Sequence, residues 1–169
     1  MKALCLVAHP DDCVIFAYSY IYNHPEHDWT IGYLTYTAAD PRGREMAEFW
    51  QRRGIECIFL GYVDDYQDIE NQKISFDTDL ACEDLQALAD KHDLVLTHDQ
   101  NGDYGHIHHV LVHHSVQWHP HLVTFAQPGE GTTYTVPDSA YSLDELPIHA
   151  NIIAGFHIRQ HQNSYKEPL

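Results

Sequence analysis

The run Ala3-Leu4-Cys5-Leu6-Val7-Ala8, broken by His9-Pro10-Asp11-Asp12 and followed by Val14-Ile15-Phe16-Ala17, decides the fold. An unbroken apolar run of this length fits one strand buried on both faces. A buried strand that ends in a polar turn and leads straight into a helix opens an α/β fold. In open parallel sheets, ligands bind beyond the carboxyl ends of the strands, which is where this turn lies. The turn admits two readings. His9 and Asp12 can point at one ion while Asp11 stays free as a base, or Asp12 can simply cap the helix.

Working outward, the same alternation recurs. A helix over 14–22 ends at Asn23-His24-Pro25, and 29–36 reads as the next strand. Residues 44–53 form a helix stopped by Gly54, and 55–60 a third strand. The acid-rich stretch 61–72 reads as an exposed loop. Asp77 or Thr78 caps a helix to about Lys91, and 94–97 is a fourth strand followed at once by polar residues. A helix over 106–118 and a strand over 122–126 complete the pattern, with an edge strand over 132–136. Strands alternating with helices at this spacing predict a Rossmann-like α/β three-layer sandwich around a mainly parallel sheet. Beyond Val136, the capping-box pattern Ser142-Leu143-Asp144-Glu145 and a start after Pro147 fit a terminal helix about equally. With no repeat or linker in sight, residues 1–169 read as a single domain.

Composition excludes several classes of function. A formal charge of −16, from 25 acidic and 9 basic residues, leaves no basic footprint for a nucleic-acid backbone. No apolar run approaches the roughly 20 residues of a membrane span, and the start lacks the pattern of a secretory signal, so the expected location is the cytoplasm. The 4 cysteines form no C-x-x-C pair and read as free thiols. The 15 histidines are the unusual feature, and they crowd between His92 and His121.

Within that crowd, Asn101-Gly102-Asp103-Tyr104-Gly105-His106-Ile107-His108-His109 also follows a strand and can face the first turn across the sheet edge. Its glycines permit a tight approach to a ligand. In a helix starting near His106, positions 106, 109 and 113 share one face. One imidazole from that face, joined to His9 and Asp12, gives the N,N,O composition of catalytic zinc sites. His113, His114, His119 and His121 read as surface residues.

The motifs Ala8-His-Pro-Asp-Asp12 and Tyr104-Gly-His-x-x-His109, with Arg42-x-x-Glu45 between them, resemble the LmbE/PIG-L family of zinc-dependent N-deacetylases. The resemblance covers most of the first 110 residues. It implies a Rossmann-like sheet and removal of acetyl groups from N-acetylglucosaminyl compounds or similar small metabolites. It implies that His9, Asp12 and His109 hold zinc, although an N,N,O set also accepts Fe2+. Asp11 is then the general base that activates the metal-bound water. His106 stabilises developing charge or protonates the amine leaving group, Tyr104 donates to the tetrahedral oxyanion, and Arg42 meets polar groups of the substrate. The implied partner is a small molecule, and homo-oligomerisation is left open.

Three positions depart from the family pattern. Cys13 stands where Glu is usual, and Ile107-His108 replaces the usual Pro-Asp. The lost Asp removes an outer carboxylate that would orient an imidazole, and His108 restores a hydrogen bond without the charge. Cys13 reads as buried packing. The alternatives to a deacetylase are a metal-dependent hydrolase of another amide or an ester, and a degenerate family member that binds metal without hydrolysis. A nucleotide-binding Rossmann protein is disfavoured, because no G-x-G-x-x-G follows the first strand.

Overall fold

The computed structural model describes residues 1–156 and 161–168. Strand β1 (Lys2–Val7) lies centrally, flanked by β2 (Asp28–Thr35) and β4 (Leu94–Thr97). With β3 (Glu56–Tyr62), β5 (Leu122–Ala126), β6 (Thr132–Thr135) and β7 (Gln162–Lys166), the sheet order is β3-β2-β1-β4-β5-β7-β6. The first five positions are parallel, and β7 and β6 run antiparallel at one edge. This is the mainly parallel α/β sheet that the alternating pattern predicts.

β1 shows why the sheet is covered on both sides. Ala3, Cys5 and Val7 enter one core, with Phe16, Phe49 and Trp50. Leu4, Leu6 and Ala8 enter the other, with Leu85, Leu88 and Val112. Each buried large aliphatic chain contributes about 1.5–3 kcal/mol relative to exposure, so a charge anywhere in this run breaks one core or the other. Helices α1 (Tyr18–Asn23) and α2 (Pro41–Gln51) cover the first face. α4 (Thr78–Ala89) and α6 (Ile107–Val116) pack together on the second. The Asp77 carboxylate caps α4 by accepting from the Leu80 amide. Among the described residues, no helix is long and apolar enough to cross a membrane.

One expectation is overturned, one alternative left open is decided, and one strand was missed. The acid-rich stretch after β3 is not simply a loop: it carries α3 (Gln67–Asn71), and Asp68 is buried. The capping box at Ser142 forms, but on a 3-10 turn (Leu143–Glu145), and α7 (Ala150–Ala154) starts after Pro147. β7 was not legible at all, because Gln-Asn-Ser-Tyr-Lys carries no apolar alternation; its strand forms because β5 and β6 supply partners on both sides.

β7 also holds the segment that follows the first turn. Cys13–Ala17 is a π-helical turn feeding α1, a geometry that disturbs the regular i→i+4 ladder. The Tyr165 hydroxyl donates to the Phe16 carbonyl (2.6 Å) and lies 2.8 Å from the Ser19 hydroxyl, while Asn163 Nδ2 donates to the Ile15 carbonyl (3.1 Å). Tyr165→Phe keeps the ring and removes the hydroxyl's hydrogen bonds to the Phe16 carbonyl and the Ser19 hydroxyl. A loss of about 1–3 kcal/mol is expected in denaturant unfolding.

Candidate active site

At the centre of the sheet the strand order reverses around β1, and the first turn projects from its carboxyl end. Two threonines pin that end. Thr35 donates through its amide and hydroxyl to the Ala8 carbonyl (3.1 and 2.7 Å), and the Thr97 hydroxyl donates to the Leu6 carbonyl (2.7 Å). The Asp12 carboxylate makes no cap of the following helix. It folds back instead, and its Oδ2 accepts from the His9 amide at 2.8 Å. This removes the helix-cap reading of Asp12.

Asp12 Oδ2, His9 Nδ1 and His109 Nε2 form a triangle with every edge 3.2 Å. A tetrahedral ion with ligand bonds of about 2.0–2.1 Å has ligand–ligand edges of roughly 3.3 Å, so the set fits zinc. Outer hydrogen bonds aim its imidazoles. His109 Nδ1 donates to Asp103 Oδ2 (2.9 Å), which turns the Nε2 lone pair inward. His9 Nε2 lies 3.1 Å from His108 Nδ1 and 3.4 Å from Asp64 Oδ1. Three nitrogen and oxygen atoms therefore converge on one point, where a cation can be held.

A proton can serve as that cation. Burial disfavours charge on His9, yet Asp12 beside it outweighs burial and lifts its pKa to about 10. Burial likewise opposes charge on His109, and Asp12 and Asp103 raise it. Against its own burial, Asp12 is held well below the carboxylate range by His109 and His9.

Asp11 stands apart from the triangle. Arg42 Nη2 donates to its Oδ1 (3.0 Å), while Nη1 donates to the Tyr36 hydroxyl (2.7 Å) and Nε to His149 Nε2 (3.3 Å). His149 is in turn held by Glu45, which also accepts from the Ile148 amide. Arg42 thus positions Asp11, and two of its five N–H donors make no hydrogen bond to the described residues. Burial and the adjacent Asp12 raise the Asp11 pKa despite the guanidinium.

His106 is the N-cap of α6, its Nδ1 accepting from the His108 amide (3.1 Å). Its remaining proton therefore lies on Nε2. Burial and the neighbouring imidazoles push its pKa down to about 3, so the ring is neutral. Tyr104 is 59% exposed, with its ring 5.2 Å from that of His109, and its hydroxyl makes no hydrogen bond to the described residues. Cys13 packs away from the site: Trp50 Nε1 donates to its Sγ (3.1 Å) and the Tyr33 hydroxyl lies 3.0 Å from it.

Sequence reasoning missed five residues around the site. His98 accepts from the Ala8 amide at Nε2 (3.0 Å) and donates from Nδ1 to Asp103 (2.5 Å). Asp103, at φ 65°, serves two imidazoles at once. Asp64, Asp68 and His149 come from stretches read as a loop or left unassigned. Only Asp103 had a local signal, lying inside the second motif. His113 corrects the surface reading: it is buried, hydrogen-bonding to the His98 carbonyl, because α6 turns it toward β4. His114 is exposed as expected.

Over residues 4–118 the sequence matches the family model of PIG-L, GlcNAc-PI de-N-acetylase. The chain belongs to the PIG-L family. Comparison with curated protein sequences gives no match. Among solved structures, the 4-carboxy-2-hydroxymuconate hydratase GalB of Pseudomonas putida has a TM-score of 0.65 at 16% identity, covering 100% of this chain and 97% of that one. N,N'-diacetylchitobiose deacetylase from Pyrococcus horikoshii has a TM-score of 0.64 at 14% identity, covering 99% and 83%. A deacetylase of teicoplanin biosynthesis has a TM-score of 0.58 at 10% identity, covering 99% of each chain. At these identities the neighbours share the fold of this PIG-L chain. The fold carries more than one reaction, so chemistry must be argued from the site.

The charged pair His9–Asp12 gives chelator-treated protein a distinctive pH dependence. A raised imidazole pKa stabilises fully below the unfolded value of about 6.5, and that contribution is lost as pH rises through about 10. The depressed Asp12 contributes above about 3.9 and is lost as pH falls. Denaturant unfolding of chelated protein should show stability falling from roughly pH 7 to pH 10. His9→Asn is expected to flatten that slope; an unchanged slope refutes the assignment to His9.

Proposed function

We propose that this PIG-L chain is a zinc-dependent N-deacetylase that hydrolyses the acetyl amide of an N-acetylated amino sugar, such as an N-acetylglucosamine compound, or of a similar small metabolite. The observation that carries the reading is the convergence of His9 Nδ1, Asp12 Oδ2 and His109 Nε2 on one point, with a separate carboxylate, Asp11, beside it. A pure binding site has no need of that extra base. When bound, a divalent ion supplies Lewis acidity, polarising an amide carbonyl and acidifying water.

The protein's own groups supply the rest. Asp11, oriented by Arg42, takes the proton of the attacking water. Its raised pKa lets it keep that proton and pass it to the departing amine. His106, neutral with its proton on Nε2, acts as a hydrogen-bond donor to developing negative charge, since giving up its last proton would leave an imidazolate. Of the two roles implied for His106, charge stabilisation is the one its tautomer supports. Tyr104, with its unengaged hydroxyl, is the second donor to the oxyanion. The two remaining Arg42 donors meet polar groups of the substrate.

The test is elemental analysis beside a free-amine assay on a panel of N-acetylated amino sugars, before and after chelation. About one zinc per chain is expected, with amine release abolished by chelation and restored by zinc. Asp11→Asn should keep the ion and lose roughly 10²–10⁴-fold in turnover, whereas His109→Ala should lose the ion. An active Asp11→Asn variant sinks the general-base assignment. The hydratase neighbour of nearly equal length gives a second reading: the same activated water adding across a carbon–carbon double bond of a small acid. Bound zinc, no amine release, and consumption of an unsaturated dicarboxylate would favour it.

A further inference from the structure

His9 reaches the triangle through Nδ1, and its opposite edge points into a second polar chain. Nε2 of His9 lies 3.1 Å from Nδ1 of His108, and Nε2 of His108 lies 2.8 Å from Oδ2 of Asp68. His108 is fully buried and Asp68 is 2% exposed, so neither side chain depends on water. Only one arrangement of protons satisfies both contacts while keeping His108 neutral. An ionised carboxylate can only accept, so His108 donates from Nε2 to Asp68, and its Nδ1 is a lone pair. That lone pair accepts the Nε2 proton of His9. In neutral His9, the form that can hold an ion, Nδ1 is then bare and faces Asp12 and His109.

We infer that His108 and Asp68 form a positioning relay that fixes the tautomer and plane of His9, and so sets how tightly this chain holds its ion. The inference rests on the triangle being the ion site. Burial gives the relay its force. A rotation of His9 about its χ2 would face His108 with a carbon instead of Nε2–H and strand a buried acceptor. Asp64 is the competing acceptor, but its Oδ1 is 3.4 Å from His9 Nε2 and its Oδ2 is engaged by the Tyr36 hydroxyl at 2.9 Å. His106 also faces His9, with ring centroids 4.5 Å apart, yet its Nδ1 is committed to the His108 amide. The relay is therefore the shorter and better-committed partner. It also gives α3 a task, since that short helix carries Asp68 into the interior.

Zinc affinity measured by competition with a chromophoric chelator tests this directly. His108→Ala and Asp68→Ala should each weaken binding by about 10–100-fold. His108→Gln should recover most of the loss, because its amide oxygen can accept from His9 while its NH2 donates to Asp68. A role in packing alone would not be rescued that way. As a second readout, 15N NMR of the histidine rings in zinc-loaded wild type should show a His9 Nε2 proton protected from exchange by its hydrogen bond, a protection that His108→Ala removes. Should His108→Ala fold poorly, the glutamine variant and this proton's exchange carry the test alone. Unchanged affinity in His108→Ala and Asp68→Ala, or a loss found only in Asp64→Asn, overturns the relay. If wild-type protein binds no zinc at all, the ion site itself is wrong, and the two failures are told apart.

Discussion

Three lone pairs held 3.2 Å apart, from His9, Asp12 and His109, are the constraint around which this molecule is built. Left to themselves they repel. The protein relieves the repulsion by binding a proton, which is why His9 and His109 are more basic than free imidazole and Asp12 more acidic than a free carboxylate. A divalent ion held there would have to displace those protons, so binding of a metal by this set would strengthen as pH rises. The stability of the centre and its capacity to bind are thus one electrostatic fact.

Keeping the lone pairs aimed inward requires a polar layer behind them, and this chain assembles it from several distant places. Asp103 takes the outer proton of His109 and that of His98. Its left-handed backbone conformation is a local strain on the loop, tolerated where neighbouring glycines already bend the chain. Glu45 anchors His149, His149 meets Arg42, and Arg42 holds Asp11. His149, late in the chain, is in this way joined to α2 and through it to the first turn. The site is a network more than a motif, and single partners within it act through the geometry of their neighbours.

The same logic runs through the backbone. A π-turn directly after the His9–Asp12 turn lets the chain leave the strand end and still enter a helix, and it leaves carbonyls that need donors. Asn163 and Tyr165 of the last strand supply them. The edge strands β6 and β7 do more than extend the sheet, because β7 is the strap that fixes the segment leading out of the first turn.

The sequence by itself determined the parallel sheet, the order of its first five strands along the chain, and the two strand-end motifs. Those features are local: a buried strand shows as an unbroken apolar run, and a metal-philic turn shows as clustered His and Asp. It also indicated that Cys13 packs inward, since its neighbours on the helix are apolar. Tertiary structure alone decided which side chains stand behind the site. Asp64 and Asp68 looked like solvated charge because nothing in 61–72 shows that His108, forty residues further on, will bury Asp68. β7 was invisible because its residues are polar and its strand exists only by pairing with β5 and β6. Hydrogen-bond partners at long sequence separation leave no local pattern, and in this protein they orient His9, Asp11 and Arg42 among the groups that the local motifs announce.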